Sequence, residues 1–271
     1  MKTRIVSGVV AAVLLVALLV LNSFFDITVL IVLSLLSAIA SYEVLYNTGC
    51  VRKIAPVIVA MVYSALAQFS FKGMLFDIRL LTLIYVFAII IFTLLDHENF
   101  GERQITMSLS MPIILSFAFF SLETLINNED DCGLFYFILV FNFACITDIF
   151  AYFVGSAIGK HKLAPTISPK KTAEGAVGGI VGAIIGTVLI CLAYEAIYPI
   201  EINMLILLVA TPVLSIIGMM GDLFASVIKR NYGIKDYGNL MPGHGGVLDR
   251  LDSVLLVAPA LWLFISLVPV I

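Results

Sequence analysis

Charged residues are scarce in this sequence. Lysine, arginine, aspartate and glutamate make up 12% of the 271 residues, whereas a soluble globular domain carries roughly 25%. Hydrophobic residues make up 62%, and the mean hydropathy is +1.13. This balance excludes an ordinary soluble domain and indicates an integral membrane protein. The net charge of −3 excludes a globally basic surface, so no nucleic-acid partner is expected.

The sequence is also poor in cysteine and lacks the usual nucleotide-binding loops. Its four cysteines are scattered and include no CxxC pair, which argues against a disulfide framework and against a zinc site. Neither a Walker A sequence nor a dinucleotide GxGxxG occurs. Any nucleotide must therefore be bound in another way.

Long apolar runs dominate the chain. A membrane-spanning helix takes about 20 residues, and nine runs approach that length, so too few residues remain for a separate soluble domain. The predicted fold is an all-α integral membrane protein with a scaffold at 1–132 and a catalytic part at 133–271. The predicted spans are 5–24, 27–46, 55–71, 80–96, 107–126, 133–158, 175–198, 203–228 and 254–271.

The basic residues predict the orientation. With nine spans and the N-terminus inside, only Lys72 and Arg79 of the 15 basic residues fall in outer loops. The positive-inside rule therefore favours an inside N-terminus and an outside C-terminus. The inner loops 159–174 and 229–253 then face the cytoplasm, and the expected location is the cytoplasmic membrane.

Four acidic residues lie within or at the inner ends of the predicted spans. A carboxylate near a span centre costs about 2.5–3.5 kcal/mol on insertion scales, so each needs a partner, a cavity or an ion. Glu43 and Asp96 fit a structural role as well as a functional one. Asp148 and Asp222 lie close to the two inner loops in the sequence, and we expect both to face one inner cavity.

The second inner loop combines features of a phosphate and metal site. Its segment PGHGG has three glycines, which let backbone N–H groups approach an anion. Four cations surround this segment and suit a polyphosphate. Asp249 and Asp252 are three residues apart and would share a helical face. Asp249 could then meet Asp222 around a Mg²⁺ ion. The alternative is a basic loop that binds anionic lipid headgroups.

The first inner loop predicts a second anion site. Its SPKKT segment is rich in lysine, and Thr172 can cap the following helix with Glu174 in the first turn. A helix N-terminus beside lysines favours anions. Farther along that helix, Gly178, Gly182 and Gly186 recur at a spacing that lets another helix approach closely.

Two segments carry a resemblance to a known family, the phosphatidate cytidylyltransferases, also called CDP-diacylglycerol synthases. The first matching segment contains Ser226, Lys229, Arg230, Lys235, Asp236, Gly238, Pro242, His244, Gly245, Gly246, Asp249, Arg250 and Asp252. The second contains Asp148, Ala151, Tyr152, Gly155, Gly159, Lys160, Pro165, Ser168, Pro169, Lys171, Glu174, Gly175, Gly178 and Gly179.

The resemblance implies transfer of the cytidylyl group of CTP to phosphatidic acid within a membrane, with Mg²⁺ and a second, monovalent cation such as K⁺ as the expected cofactors. A homodimer is a further expectation. Asp222 and Asp249 are the expected metal ligands. The expected catalytic residues are Asp222, Asp249, Lys229, Arg230, His244 and Arg250. The expected substrate-binding residues are Asp148, Ser168, Lys170, Lys171, Lys235, Asp236, Gly245, Gly246 and Asp252.

Two other functions remain open at this point. A multi-pass secondary transporter would also carry acidic residues in its spans, but its sites lie near the midplane and its halves repeat. No repeat is seen here, and the charges collect toward one side. A CTP-dependent lipid kinase would use similar groups but would release CDP instead of pyrophosphate.

Overall fold

Helices make up nearly all of the regular structure, which confirms the predicted all-α membrane class. The computed structural model describes residues 2–128, 132–240, 243 and 245–271, with side chains from residue 6 onward. The helices are α1 (Lys2–Asn22), α2 (Ile27–Tyr42), α3 (Ile54–Phe71), α4 (Ile78–Leu95), α5 (Glu102–Ile126), α6 (Gly133–Phe141), α7 (Thr147–Ile158), α8 (Ala173–Ile197), α9 (Met204–Asn231), α10 (Leu248–Leu251) and α11 (Val254–Leu267).

Seven helical segments of the described chain are long and apolar enough to cross a membrane. Two shorter apolar helices, Val6–Asn22 and Val254–Leu267, coincide with the first and last predicted spans. The protein is therefore a multi-pass membrane protein, while the count of nine spans and their orientation stay predictions. The seven segments are Ile27–Asn47, Ile54–Phe71, Ile78–Leu95, Glu102–Ile126, Gly133–Ile158, Ala173–Ile197 and Met204–Asn231.

Three local features were not predicted. Two of the spans contain a π-helical turn, at Glu43–Asn47 and at Asn142–Ile146. The first inner loop forms a short antiparallel hairpin of β1 (Lys162–Ala164) and β2 (Ser168–Thr172). Asp249 lies in the single turn α10, whereas Asp252 lies in the turn that follows it. The two aspartates therefore do not share one continuous helix.

One compact unit comprises residues 1–123 and 231–251. Its helices α2, α3 and α4 pack against one another in chain order. Buried polar groups also join its helices, since the hydroxyls of Ser41 and Ser64 lie 2.7 Å apart and Gln68 donates to the Ser116 carbonyl at 3.0 Å. Hydrogen bonds between helices satisfy polar groups that have no access to water in a bilayer.

The other compact unit comprises residues 124–230 and 252–271. Its helix α7 lies along α8, and the glycines of α8 face α7 as predicted. A Cβ on Gly178 would lie 2.5 Å from the side chain of Val154, and Gly182 leaves no room for a Cβ beside Phe150. Such close contact confirms that these glycines serve helix packing.

Candidate functional site

A hairpin that carries two lysines lies at the first group of predicted site residues. The chain reverses at residues 165–167, where Pro165 fixes one backbone dihedral, and β1 then pairs with β2. The carboxylate of Glu174 fastens this hairpin to the start of α8, because it accepts hydrogen bonds from the Lys160 and His161 N–H groups at 3.1 and 3.2 Å. We call residues 162–172 the lysine hairpin.

Thr172 caps α8, as predicted, and also joins this helix to the lysine hairpin. Its hydroxyl accepts a hydrogen bond from the Gly175 N–H at 3.1 Å and so caps the helix. Three glycines crowd around this hydroxyl: a Cβ on Gly155, Gly159 or Gly175 would lie 2.7, 2.6 or 2.9 Å from it. Because these positions are glycine, Thr172 can approach the C-terminal end of α7 and the N-terminal end of α8 closely. This close approach sets the position of strand β2, which carries the two lysines.

A cavity of about 600 Å³ lies between this hairpin and helices α7, α8 and α9. Five of the predicted site residues line it: Asp148, Ser168, Lys170, Lys171 and Asp222. The hydroxyl and ammonium groups could bind an anion, and the carboxylates could bind a cation. The cavity is therefore suited to a phosphate ligand that arrives with a metal ion.

Lys171 places one positive charge beside the two carboxylates of this cavity. Its ammonium lies 2.6 Å from Asp222 Oδ2 and 3.9 Å from Asp148 Oδ1. The Ser253 hydroxyl donates to the other oxygen of Asp148 at 3.3 Å. One positive charge thus lies between two carboxylates, which is where a divalent cation would also be stable. A metal entering here would compete with Lys171.

Asp252 adds a third carboxyl group to the same unit. Burial raises the pKa of Asp252 to about 7, and the negative charge of Asp222 adds to the increase. The positive charge of Lys229 acts in the opposite direction. Arg230, the next predicted residue, is exposed and its Nε donates to the Ile167 carbonyl at 3.4 Å. Arg230 is therefore near the turn of the lysine hairpin.

A second group of predicted residues lies in a loop of the other compact unit. Within the described residues 237–240 and 245–248 of this loop, the backbone is organised by the carboxylate of Asp249, which follows directly. Asp249 Oδ2 accepts hydrogen bonds from the N–H groups of Tyr237 at 2.7 Å and Gly246 at 3.0 Å. Gly245 has a φ of +90°, which favours glycine, and a Cβ there would lie 2.7 Å from Asp249 Oδ2. We call the described residues 237–240 and 245–248 the glycine loop.

The glycine loop rests on two residues that the sequence did not assign to the site. Glu43 is 2% exposed, and its two oxygens accept hydrogen bonds from Val247 and Leu248 at 3.0 and 2.9 Å. Asn47 donates to the Tyr237 carbonyl at 2.9 Å. The one signal in the sequence was that Glu43 is an acid at the inner end of a span. Asn47 had none.

The remaining predicted residues are placed as follows. Lys235, Asp236 and Arg250 are exposed, whereas Gly245, Gly246 and Asp249 are buried. His244 lies outside the described residues. Asp222 belongs to one compact unit and Asp249 to the other, so their shared metal ion stays a prediction.

The ligand chemistry fits a metal ion that is only partly bound by protein. Within the described part of the chain, no three His, Cys, Asp or Glu side chains form a group that could hold a metal. The carboxylates of the site are hard oxygen ligands. Mg²⁺ commonly takes one or two carboxylates and completes its shell with substrate phosphate and water. The donor set is therefore compatible with Mg²⁺.

Comparison with known proteins finds relatives that share one name. The chain is 32% identical over 277 residues to a phosphatidate cytidylyltransferase of Bacillus subtilis, with 98% of each chain covered. It is 31% identical to one of Staphylococcus haemolyticus, with 96% of this chain and 97% of the relative covered. A Staphylococcus aureus protein of the same name is 38% identical over 176 residues, covering 65% of this chain and 64% of the relative. The model of the cytidylyltransferase family matches residues 2–268, and the chain therefore belongs to that family.

Proposed function

We propose that this protein transfers the cytidylyl group of CTP to phosphatidic acid, which gives CDP-diacylglycerol and pyrophosphate. The observation that carries the proposal is the similarity, over nearly the whole chain, to relatives named phosphatidate cytidylyltransferase. The cavity beside the lysine hairpin agrees with it, because lysines and carboxylates together suit a phosphate and its counterion. The reaction belongs to phospholipid biosynthesis.

The chemistry requires little proton transfer. A phosphate oxygen of phosphatidic acid attacks the α-phosphorus of CTP, the new P–O bond forms, and the bond to the β-phosphate breaks with departure of pyrophosphate. A phosphate monoester loses its second proton near pH 6 and is already a nucleophile at neutral pH. Catalysis therefore depends on orientation and on neutralising negative charge.

Basic and acidic residues of the site are given different roles in this proposal. We assign Lys170, Lys171, Lys229, Arg230 and Arg250 to the phosphates of the substrates. The assignment rests on their charge and, for Lys170 and Lys171, on their place in the cavity wall. His244 is proposed to contact a phosphate or the leaving pyrophosphate. Ser168, Lys235, Asp236, Gly245, Gly246, Asp148 and Asp252 are proposed to bind or surround the substrates.

The carboxylates are proposed to hold the metal ion. Asp222 and Asp249 are the proposed ligands, and Lys171 would leave Asp222 for a substrate phosphate when a cation is bound. If Mg²⁺ is held by these two aspartates, it would supply positive charge that offsets the negative charge developing on the reacting phosphates. A second, monovalent cation such as K⁺ is part of the same prediction.

A lipid substrate accounts for the proposed topology. With nine spans, an inside N-terminus and an outside C-terminus, both inner loops meet cytosolic CTP while the acyl chains stay in the bilayer. We propose that the protein lies in the cytoplasmic membrane with its site toward the cytoplasm, and that it forms a homodimer. Attaching a cysteine-reactive, membrane-impermeant label to Lys235→Cys and Lys72→Cys variants in intact cells would test the orientation. Only Lys72→Cys should react from outside.

The activity itself is tested with purified protein in detergent, phosphatidic acid, Mg²⁺ and CTP labelled at the α-phosphorus. We expect the label in the lipid and pyrophosphate in solution, with neither product when the metal is chelated. Release of CDP with an unlabelled lipid would instead show a lipid kinase. Folded protein that consumes no CTP would contradict both and favour a transporter.

A further inference from the structure

We propose that Glu43, far from the site residues in the sequence, positions the glycine loop and thereby orients Asp249 for the reaction. The inference rests on the proposed function of that loop. It concerns contacts within one compact unit, since Glu43 and residues 231–251 belong to the same one. Glu43 is a positioning residue here, because it acts on the substrates through the loop.

The first argument is the way Glu43 is bonded. Its side chain is buried, and each of its two oxygens accepts one backbone N–H of the glycine loop, from Val247 and from Leu248. A buried carboxylate without partners is costly, and hydrogen bonds to a charged acceptor are worth more than neutral ones. Glu43 is therefore stabilised by the loop, and the loop by Glu43.

The second argument is the space around the carboxylate. A Cβ on Gly238 would lie 2.6 Å from Glu43 Oε1, and one on Gly246 would come still closer to both Glu43 oxygens. Real Cβ atoms do not make such contacts, so a Cβ at either position would force the Glu43 carboxylate to move from its present hydrogen bonds. Both ends of the glycine loop thus pack against one side chain.

The third argument is the link to Asp249. The N–H of Gly246, whose Cα packs on Glu43, donates to Asp249 Oδ2 at 3.0 Å. On the other side of the loop, Tyr237 donates to the same oxygen through its N–H, and its carbonyl accepts from Asn47. Glu43 and Asn47 stand four residues apart in one π-helical turn. That turn therefore holds both backbone segments that orient Asp249.

The consequence concerns the metal requirement. A group that orients a metal ligand without touching the metal typically changes metal affinity or activity by about 10- to 100-fold when it is removed. We expect Glu43→Gln to raise the Mg²⁺ concentration for half-maximal turnover by at least about tenfold. The amide keeps the size of the side chain but offers one acceptor for two N–H donors.

The matched control is Glu123→Gln in the same compact unit. Glu123 is also buried, at 1% exposed, but its carboxylate pairs with Lys72 at 3.1 Å. This variant removes a buried charge outside the glycine loop. We expect it to lower thermal stability without changing the Mg²⁺ dependence. Asn47→Ala provides a second variant, with a smaller change in the same direction as Glu43→Gln.

Two measurements do not depend on turnover. Hydrogen exchange of the peptide covering residues 245–248 should accelerate by about tenfold in Glu43→Gln and remain unchanged in Glu123→Gln. Binding of Mg²⁺ with CTP, followed by calorimetry, should weaken only in the Glu43 and Asn47 variants. If the wild-type protein has no cytidylyltransferase activity, the proposed function fails, while hydrogen exchange still tests the position of the loop.

The proposal is overturned by either of two results. One is a folded Glu43→Gln protein whose hydrogen exchange, metal binding and Mg²⁺ dependence all equal those of the wild type. The other is the same shift of the Mg²⁺ dependence in Glu123→Gln, which would show a general loss of stability. If Glu43→Gln does not fold, Asn47→Ala decides: unchanged exchange at 245–248 in that variant overturns the proposal as well.

Discussion

Replacing Asp249 by asparagine separates the chemical role of this carboxylate from its structural one. Asp249 Oδ2 accepts two backbone hydrogen bonds, from Tyr237 and Gly246, and the side chain is 8% exposed. An asparagine oxygen can accept both, but without charge each bond loses about 1 kcal/mol. Asp249→Asn should therefore cost about 2 kcal/mol of stability. Alanine would leave two buried N–H groups without an acceptor, at about 2–6 kcal/mol in total.

The effect on turnover should be much larger than the effect on stability. Asp249 is proposed to act through the metal ion, and loss of one electrostatic stabiliser of a reacting group typically costs about 100- to 1000-fold in rate. We expect Asp249→Asn to lose at least about 100-fold in the label-transfer assay, with thermal unfolding that remains cooperative. Wild-type turnover by the asparagine variant at the same Mg²⁺ concentration would remove Asp249 from the metal site, because a neutral amide is a much weaker ligand.

Three further predictions concern other charges. Lys171→Met removes the ammonium between its two carboxylate partners, so Mg²⁺ should bind more tightly in calorimetry without nucleotide. Turnover should fall at least tenfold, which is roughly the effect of one lost phosphate contact. Unchanged Mg²⁺ binding would refute the idea that Lys171 and the metal compete for these carboxylates. Lys53→Ala breaks the ion pair of the exposed Lys53 with Asp96 at 2.7 Å. Such pairs contribute little, so both thermal stability and turnover should stay near the wild-type level. A large loss of turnover would mean that the site is misplaced. Burial raises the pKa of Asp252 to about 7, well above its unfolded value of about 3.9. The folded state then holds a proton that the unfolded state has lost, so stability falls as the pH rises from about 4 to about 7 and levels off above. In metal-free thermal melts Asp252→Asn should reduce this decline, and an unchanged pH profile would contradict the shift.

The helices could be predicted because their signal is local. A bilayer demands long apolar runs, and these runs are visible in the sequence one at a time. The cap at Thr172 and the close approach at Gly182 were predictable because the signal for each, a capping residue and a four-residue glycine spacing, lies within one or two turns. The lysine hairpin was missed because strands of three and five residues with exposed lysines have no apolar alternation.

The site was only partly accessible from the sequence. Asp148 and Asp222 were predicted to face the same cavity as the basic inner loops, one of which carries Lys171. The reason was that a carboxylate within a membrane span needs a partner, a cavity or an ion. The bond between Glu43 and Leu248 joins positions 205 residues apart, and no periodicity or local motif encodes such a contact. The π-helical turn at Glu43–Asn47 rotates the side chains around the helix axis by a fraction of a turn, and no sequence pattern predicted it either.

Gly246, the last glycine of the PGHGG segment, has a different explanation from the one that its sequence context favours. Glycine-rich loops often leave N–H groups for an anion, but here the Gly246 N–H is bonded to Asp249 and its Cα packs on Glu43. Gly246→Ala should then destabilise the protein, and adding Glu43→Ala should remove the clash.

The clash can be measured in a double-mutant cycle. The cost of the double variant in thermal or denaturant unfolding should be smaller than the sum of the single variants by at least about 0.5 kcal/mol, the size expected for residues in contact. Strictly additive effects would mean that the two residues do not touch, and that glycine is required at this position for access by a ligand. A favourable coupling would instead show that the loop is glycine-rich because it must close tightly over a buried carboxylate.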